Sequence, residues 1–430
     1  MNVFDRLESE VRSYCRAFPV VFDRARGSHL YDVEGREYID FFCGAGTLNY
    51  GHNEPGMKRA LVDYIERDGV IHGLDMFTSA KAAFLERFES AILAPRRLEY
   101  RVQFTGPTGA NAVEAALKLA RKMTGRRTVV AFTNAYHGLS GGALAATANA
   151  AYRHEAFVNR ADVSFVPYDG YLGAEVNTID HLARLLEDRS SGLDAPAAVI
   201  VETIQAEGGV NVASRDWLRG LQALCRRFEI LLIVDDIQTG CGRTGTFFSF
   251  EDAGLEPDIV LLSKSISGFG LPMSIVLIRP AIDGWRPGEH TGTFRGNNAA
   301  FVTAAEALRF WENGDLAAHV RAAGGRLEAR LRALQAQWPA LQLRIRGRGL
   351  LYGLESAVPQ INRQVAAECF TRGLIIELCG GARQVIKFLP ALTVPLDVLE
   401  SGLDRLAASF AAVAGSEAAL LSGRSTAAAV

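Results

Sequence analysis

The feature that most constrains the fold is a series of unbroken apolar runs of strand length: "RTVVAF" near residue 127, "AAVIVE" near 197, "ILLIVDD" near 230, "DIVLLSK" near 258 and "SIVLIRP" near 274. Strands that alternate apolar with polar residues show one face to water, whereas continuous runs belong to strands covered on both faces, as in a mostly parallel sheet. Between them lie segments of helical period. "GANAVEAALKLARKMTG" (109–125) repeats its apolar residues at helical spacing and has Gly125 placed to end the helix, and "DWLRGLQALCRRFE" (216–229) is similar. These patterns predict an α/β domain over residues 56–315. After about residue 315 the texture changes to a long Ala/Arg/Leu helix and short strands around "LRIRGRGLLYGLE" and "QVIKFLPALTV". A hairpin is expected at "SHLYDVEGREYIDF", with "EG" in its turn. Residues 1–55 and 316–430 are therefore expected to form a second, smaller α+β domain built from both chain ends, with "SGRSTAAAV" as a frayed tail.

At 430 residues the chain exceeds one typical core of roughly 150 residues, in keeping with two domains. Its 46 basic and 48 acidic residues carry no long basic block, so neither nucleic acid nor an anionic membrane is an expected partner, and small-molecule chemistry is. The six cysteines stand singly, without metal-site spacing, which fits a reducing compartment and predicts no metal. The polar amino terminus lacks the pattern of a secretion signal, and no apolar run reaches the roughly 18–20 residues needed to span a bilayer. A cytoplasmic location is expected.

In open parallel sheets, ligands collect beyond the carboxyl ends of the strands, so polar residues that close apolar runs are the ones to test. "ILLIVDD" ends at Asp235 and Asp236, "DIVLLSK" at Lys264, and "AAVIVETIQAEGG" at Glu202 with Glu207 soon after. Each alone reads as a solvated strand end. A lysine and an aspartate on neighbouring strand ends are, together, what pyridoxal phosphate requires: an amine to form an imine, and a carboxylate to keep the pyridine nitrogen protonated. The cofactor also needs a phosphate cradle, and "FTGPTGANAVEAALKLARK" (104–122) offers a Thr/Gly turn opening onto a helix N-terminus.

The motifs "TGANAVEAALKLAR", "NAYHG", "VETIQAEGG", "DDIQTGCGRTG", "SKSISGFGLP" and "TGTFRGN", in this order along nearly the whole chain, resemble the class III (ω) pyridoxal-phosphate aminotransferases. The resemblance implies fold type I and a homodimer or higher homo-oligomer with its active site at the interface. It implies that Lys264 is the imine-forming lysine and proton shuttle, that Asp235 pairs with the pyridine nitrogen, and that Gln238 approaches the phenolic oxygen. Tyr136 would stack on the ring with His137 beside it. Thr108, Gly109 and Ala110 would hold the phosphate, joined by Thr293 from a neighbouring subunit. Glu207 resembles the family's gating glutamate near the substrate carboxylate, and Asp236 is expected to be structural.

Within the family, "LESEVRSYCRAFPVVFDRA", "GAGTLNYGHNEP", "GVIHGLDMFTSAK" and "DDIQTGCGRTGTFFSFEDAG" look like the subgroup that forms L-2,4-diaminobutanoate from L-aspartate 4-semialdehyde with L-glutamate as donor, the step that opens ectoine synthesis. Many relatives carry an arginine before the final "PPL" to grip a substrate carboxylate. Here Lys387 stands instead, either as a substrate contact without arginine's bidentate fork or as a surface residue. Another ω-aminotransferase, acting on ornithine, acetylornithine, 4-aminobutyrate or a polyamine, is the alternative, with an aminomutase or decarboxylase behind it. His52 and His72 read as entrance or loop histidines, Arg295 as an anion or interface contact, and "GRGLLYG" as a turn rather than a nucleotide loop.

Overall fold

The computed structural model describes residues 3–154, 156–157 and 162–427. At its centre is a seven-stranded sheet, in spatial order Arg101–Phe104, Ile275–Ile278, Ile259–Leu262, Leu231–Asp235, Ala198–Val201, Val129–Phe132 and Val163–Val166. The runs Val129–Phe132, Ala198–Val201, Ile259–Leu262 and Ile275–Ile278 are buried at every position, which is why they read as continuous rather than alternating.

Six strands run one way and Ile275–Ile278 runs against both neighbours. The connection fits this: the segment 263–274 that links it to Ile259–Leu262 folds only one 3-10 turn, Lys264–Ser267, and holds no crossover helix of the kind that usually carries a parallel return. Helix Gly109–Thr124 buries Ala112, Val113, Ala115, Ala116, Leu117, Leu119 and Ala120, a small-residue face suited to lying close on the sheet, and stops at Gly125 in left-handed backbone. Helix Arg215–Arg227 covers other strands through Trp217, Leu218, Leu221 and Leu224.

A second sheet has the order Arg344–Arg348, Leu351–Glu355, Val385–Phe388 and Glu377–Cys379, all antiparallel, with "GRGLLYG" supplying its first turn. A third joins Phe22–Arg26, His29–Asp32 and Glu37–Asp40 to Leu374–Ile375, so strands from the two ends of the chain share hydrogen bonds. Helix Asp315–Gln337 packs Leu316, Val320, Ala323, Leu327, Leu331 and Leu334 into the core over these sheets. The last helix runs Leu396–Ala427, so the segment read as a frayed tail from Ser422 is helical up to Ala427 and then passes outside the described residues. Among the described residues no helix is long and apolar enough to cross a membrane.

Candidate active site

The strand Ile259–Leu262 is followed by Ser263 and then Lys264, whose backbone is left-handed at φ 51°. The neighbouring strand ends at Asp235, in register with Leu261, so a carboxylate and an amine emerge from adjacent strand ends. Lys264 Nζ donates to the carbonyl of Ala45 at 3.0 Å. Burial lowers its pKa; the Glu207 carboxylate works against that and the Lys387 ammonium adds to it. The loop carrying Ala45 is fixed from both sides. Phe42 and Cys43 donate their amides to Asp40 Oδ1 at 2.8 and 2.9 Å, and Ser265 Oγ donates to the Gly46 carbonyl at 2.7 Å.

Asp235 is buried and held by two donors. His137 Nδ1 lies 2.7 Å from Oδ2, and the Ile237 amide donates to Oδ1 at 3.2 Å. Facing a carboxylate, Nδ1 carries the proton. The ring's Nε2 is buried with no hydrogen-bond partner among the described residues. Tyr136, one residue earlier, donates its amide to Glu202 Oε2 at 3.0 Å and meets Tyr152 edge-on. Burial raises the Tyr136 phenol to about 12, and burial followed by the Asp235 charge pushes Glu202 well above the usual carboxylate range.

The helix start packs against these same loops. Thr108 caps the helix, with Asn111 Oδ1 accepting from Thr108 N at 3.2 Å and from Thr108 Oγ1 at 2.9 Å. A Cβ on Gly109 would lie 2.9 Å from the tip of Ile237, two residues past Asp235, and a Cβ on Gly138 would lie 2.8 Å from that of Ala110. Glycine at 109 thus lets the helix N-terminus approach the end of the Asp235 strand.

On the other side of Lys264, Gln238 Nε2 donates to the same Ala45 carbonyl at 2.8 Å and to Glu207 Oε1 at 3.1 Å. Lys387 is fully buried, which rules out the surface reading. Its ammonium bonds Glu207, donates to Gln238 Oε1 at 3.3 Å and lies 3.0 Å from Glu377. Burial raises Glu207, but Lys387 and then Lys264 outweigh it and hold that carboxyl at about 2.

The chain thus brings Lys264, Asp235, His137, Tyr136, Gln238, Glu207, Lys387 and the Thr108–Ala110 turn into one region. Thr293 is exposed, on the segment whose Arg295 pairs with Asp75. Asp236 points away into the core, accepting from Thr239 Oγ1 at 2.8 Å and from the Ser249 amide at 3.0 Å. His52 lies 2.7 Å from Asp40 Oδ2, and His72 contacts Phe294 edge-on. Sequence reasoning missed the Ala45 carbonyl, which has no side-chain signal, and Glu377, whose signal was a lone carboxylate within the apolar "GLIIELC". Among the described residues no group of three or more His, Cys, Asp or Glu is placed to hold a metal.

Fold and site together are those of an α/β enzyme of amino-group chemistry: a buried amine and carboxylate at adjacent strand ends, an aromatic ring and a helix N-terminus. The chain belongs to the class III aminotransferases, whose family model, "Aminotransferase class-III", matches residues 12–410. It is 58% identical over 403 residues, 94% of each chain, to a diaminobutyrate–2-oxoglutarate transaminase of Wolinella succinogenes. Among solved structures it resembles the ornithine aminotransferase of Toxoplasma gondii (30% identity, TM-score 0.83, covering 96% of this chain and 94% of that one). It also resembles an amine transaminase from an uncultivated Pseudomonas species in its pyridoxal-phosphate-bound form (25% identity, TM-score 0.84, covering 96% and 99%). The architecture is fold type I.

Proposed function

We propose that this protein is a pyridoxal-phosphate-dependent aminotransferase that moves an amino group from L-glutamate to L-aspartate 4-semialdehyde, giving 2-oxoglutarate and L-2,4-diaminobutanoate. The observation that carries this reading is the near full-length, 58% identity to a relative named for that pair of products. The donor set fits the cofactor: an amine, a carboxylate with lone pairs to spare, and a helix start kept open by Gly109. When bound, pyridoxal phosphate supplies a carbonyl for the amine and an electron-withdrawing ring.

Each residue then has a definite task. Thr108, Gly109 and Ala110 bind the phosphate at the positive end of the helix. Asp235, oriented by His137 and the Ile237 amide, holds a proton on the ring nitrogen. Tyr136 would pack on the ring and Gln238 would approach its phenolic oxygen. Lys264, its proton affinity lowered by burial, takes a proton from the substrate carbon and returns it at Nζ. Lys387 receives a carboxylate of glutamate when Glu207 turns aside, as a point charge rather than a fork.

A homodimer or higher homo-oligomer is part of the proposal, with Thr293 reaching a partner's phosphate site. It is supported by the apolar side chains exposed near that segment, Phe77, Met76, Ile71 and Phe294. The division into a large domain over 56–315 and a small one from 1–55 and 316–430 is supported by the pairing of Leu374–Ile375 with Glu37–Asp40. A cytoplasmic location is supported by the six free cysteines.

The test is a substrate panel with 2-oxoglutarate as acceptor, run on the parent and on Lys264→Ala. The parent should favour 2,4-diaminobutanoate over ornithine, 4-aminobutanoate and polyamines, and the variant should transfer no amino group. Preference for another donor, or turnover by the variant, would overturn the reading.

A further inference from the structure

Glu377 is an acidic group beside Lys387 that the proposed reaction does not use. It sits in the strand Glu377–Cys379, directly opposite Lys387 in the antiparallel register, and is only 7% exposed. Its Oε1 accepts from the Tyr14 hydroxyl at 3.3 Å. Its Oε2 lies 3.0 Å from Lys387 Nζ but out of line for a hydrogen bond, so this buried oxygen has no hydrogen-bond donor among the described residues. Lys387 spends its bonds on Glu207 and Gln238 instead.

The charges do not balance. Two carboxylates, Glu207 and Glu377, share one buried ammonium, and a buried charge that is only partly compensated is costly. Burial raises the pKa of Glu377; Lys387 lowers it and Glu207 raises it further. Lys387 is the one ammonium in contact with both carboxylates, and Lys264 acts on them only from further off. Glu377 is also near enough to the reaction centre for its charge to act on Lys264. A contact chain joins them: Lys264 and Gln238 share the Ala45 carbonyl, Gln238 meets Lys387, and Lys387 faces Glu377.

The substrates of the proposed reaction differ in the charge they bring. Glutamate has one ammonium, and it is the one that reacts. The amino-aldehyde, and the diamino acid made from it, carry a second ammonium on the α-carbon, away from the reacting carbon. We propose that Glu377 is a specificity-determining residue: its carboxylate takes the α-ammonium at the far end of the amino-aldehyde and of the diamino acid, selecting them over chains that lack it. The inference rests on the reading of function above.

The test uses holoenzyme and three amino donors in single-turnover reactions followed by the cofactor's visible absorbance: 2,4-diaminobutanoate, 4-aminobutanoate, which lacks only the α-ammonium, and glutamate. Glu377→Gln should lower kcat/KM for diaminobutanoate by about 10- to 100-fold, the range of a charged hydrogen bond, and leave the other two within about threefold. An equal fall for all three donors, or an unchanged ratio of diaminobutanoate to 4-aminobutanoate, would overturn the proposal; the first result would mark Glu377 as a prop for Lys387. Should Glu377→Gln fail to take up cofactor, Glu377→Asp gives the reading. Its carboxylate is drawn back by one methylene, and the ratio should fall while glutamate is spared; a ratio equal to the parent's overturns the proposal. A parent that does not use diaminobutanoate would sink the assignment of function itself, a result distinct from an unchanged ratio in the variants.

Discussion

Replacing Lys387 with methionine tests whether one buried ammonium makes the Glu207–Glu377 cluster tolerable. Methionine is unbranched, adaptable and of similar length, so little packing is lost. Breaking a buried ion pair from one side costs about 3–5 kcal/mol, because the remaining charge is left without compensation. Here Glu207 keeps a quarter of its side chain in solvent and its bond from Gln238, and Glu377 keeps Tyr14, so about 2–4 kcal/mol is expected. For 430 residues, at about 2.1 cal/mol/K of unfolding entropy each, that is about 2–4 °C in Tm. The loss should depend on pH. In the parent, Glu207 is held at about 2 against an ordinary 4.5, so its contribution is complete above about pH 4.5 and disappears as pH falls toward 2. Without Lys387, burial dominates and both carboxylates titrate above their unfolded values, so the variant recovers stability by taking up protons as pH falls. Melting curves of the holoenzymes should show the widest gap between parent and variant near pH 8 and a smaller one near pH 5.5. Equal melting near pH 8, or a gap indifferent to pH, would refute the reasoning.

Burial raises Asp236 to about 6, above its ordinary 3.8, so its ionisation weakens the fold as pH rises from about 4 to about 6. Asp236→Asn should remove that slope in urea titrations and be at least as stable as the parent at neutral pH. Asp236→Ala strands the Ser249 amide and should cost about 1–3 kcal/mol with amino transfer retained in both; loss of activity in a stable Asn variant would contradict the structural role. At Gly324, inside helix Asp315–Gln337, alanine would gain about 1 kcal/mol of helix propensity, but its Cβ would lie 2.2 Å from the Gly349 carbonyl oxygen. Overpacking against backbone costs about 1–3 kcal/mol, so Gly324→Ala should melt below the parent, and a higher Tm would show that the hairpin gives way.

The α/β core was legible because its strands are buried on both faces, and burial writes itself into a sequence as an unbroken apolar run. The same runs pointed to Asp235 and Lys264, since a polar residue that closes such a run has only the sheet's edge to occupy. The strand Arg101–Phe104 was not legible: half-exposed at the sheet's rim, "RVQF" carries no such run. Nor was the reversal of Ile275–Ile278, which depends on a connection that forms no crossover helix rather than on the strand itself. The Lys387–Glu377 pairing was hidden for a third reason. It depends on hairpin register, and a slip of one residue would send either side chain to the opposite face. Lys387 alone therefore allowed a surface reading, although the structure buries it completely.

Where the backbone itself makes the site, sequence patterns have least to say. Lys264 and Ala45, the two ends of the bond that restrains the proposed catalytic amine, both have left-handed backbone, at φ 51° and 56°. For residues with a Cβ this conformation costs roughly 1–2 kcal/mol each, and glycine would relieve it. Glycine cannot serve at 264 if the amine has its proposed role, so the surroundings have to hold the turn. Ser265 does so with its one hydroxyl proton shared between the Gly46 and Thr47 carbonyls, 2.7 and 3.0 Å away, which ties the strand-end turn to the loop that carries Ala45. Gln238 reaches the same Ala45 carbonyl from the Asp235 side. A single backbone oxygen thereby links the lysine's strand, the aspartate's strand and, through Gln238, the Lys387 cluster.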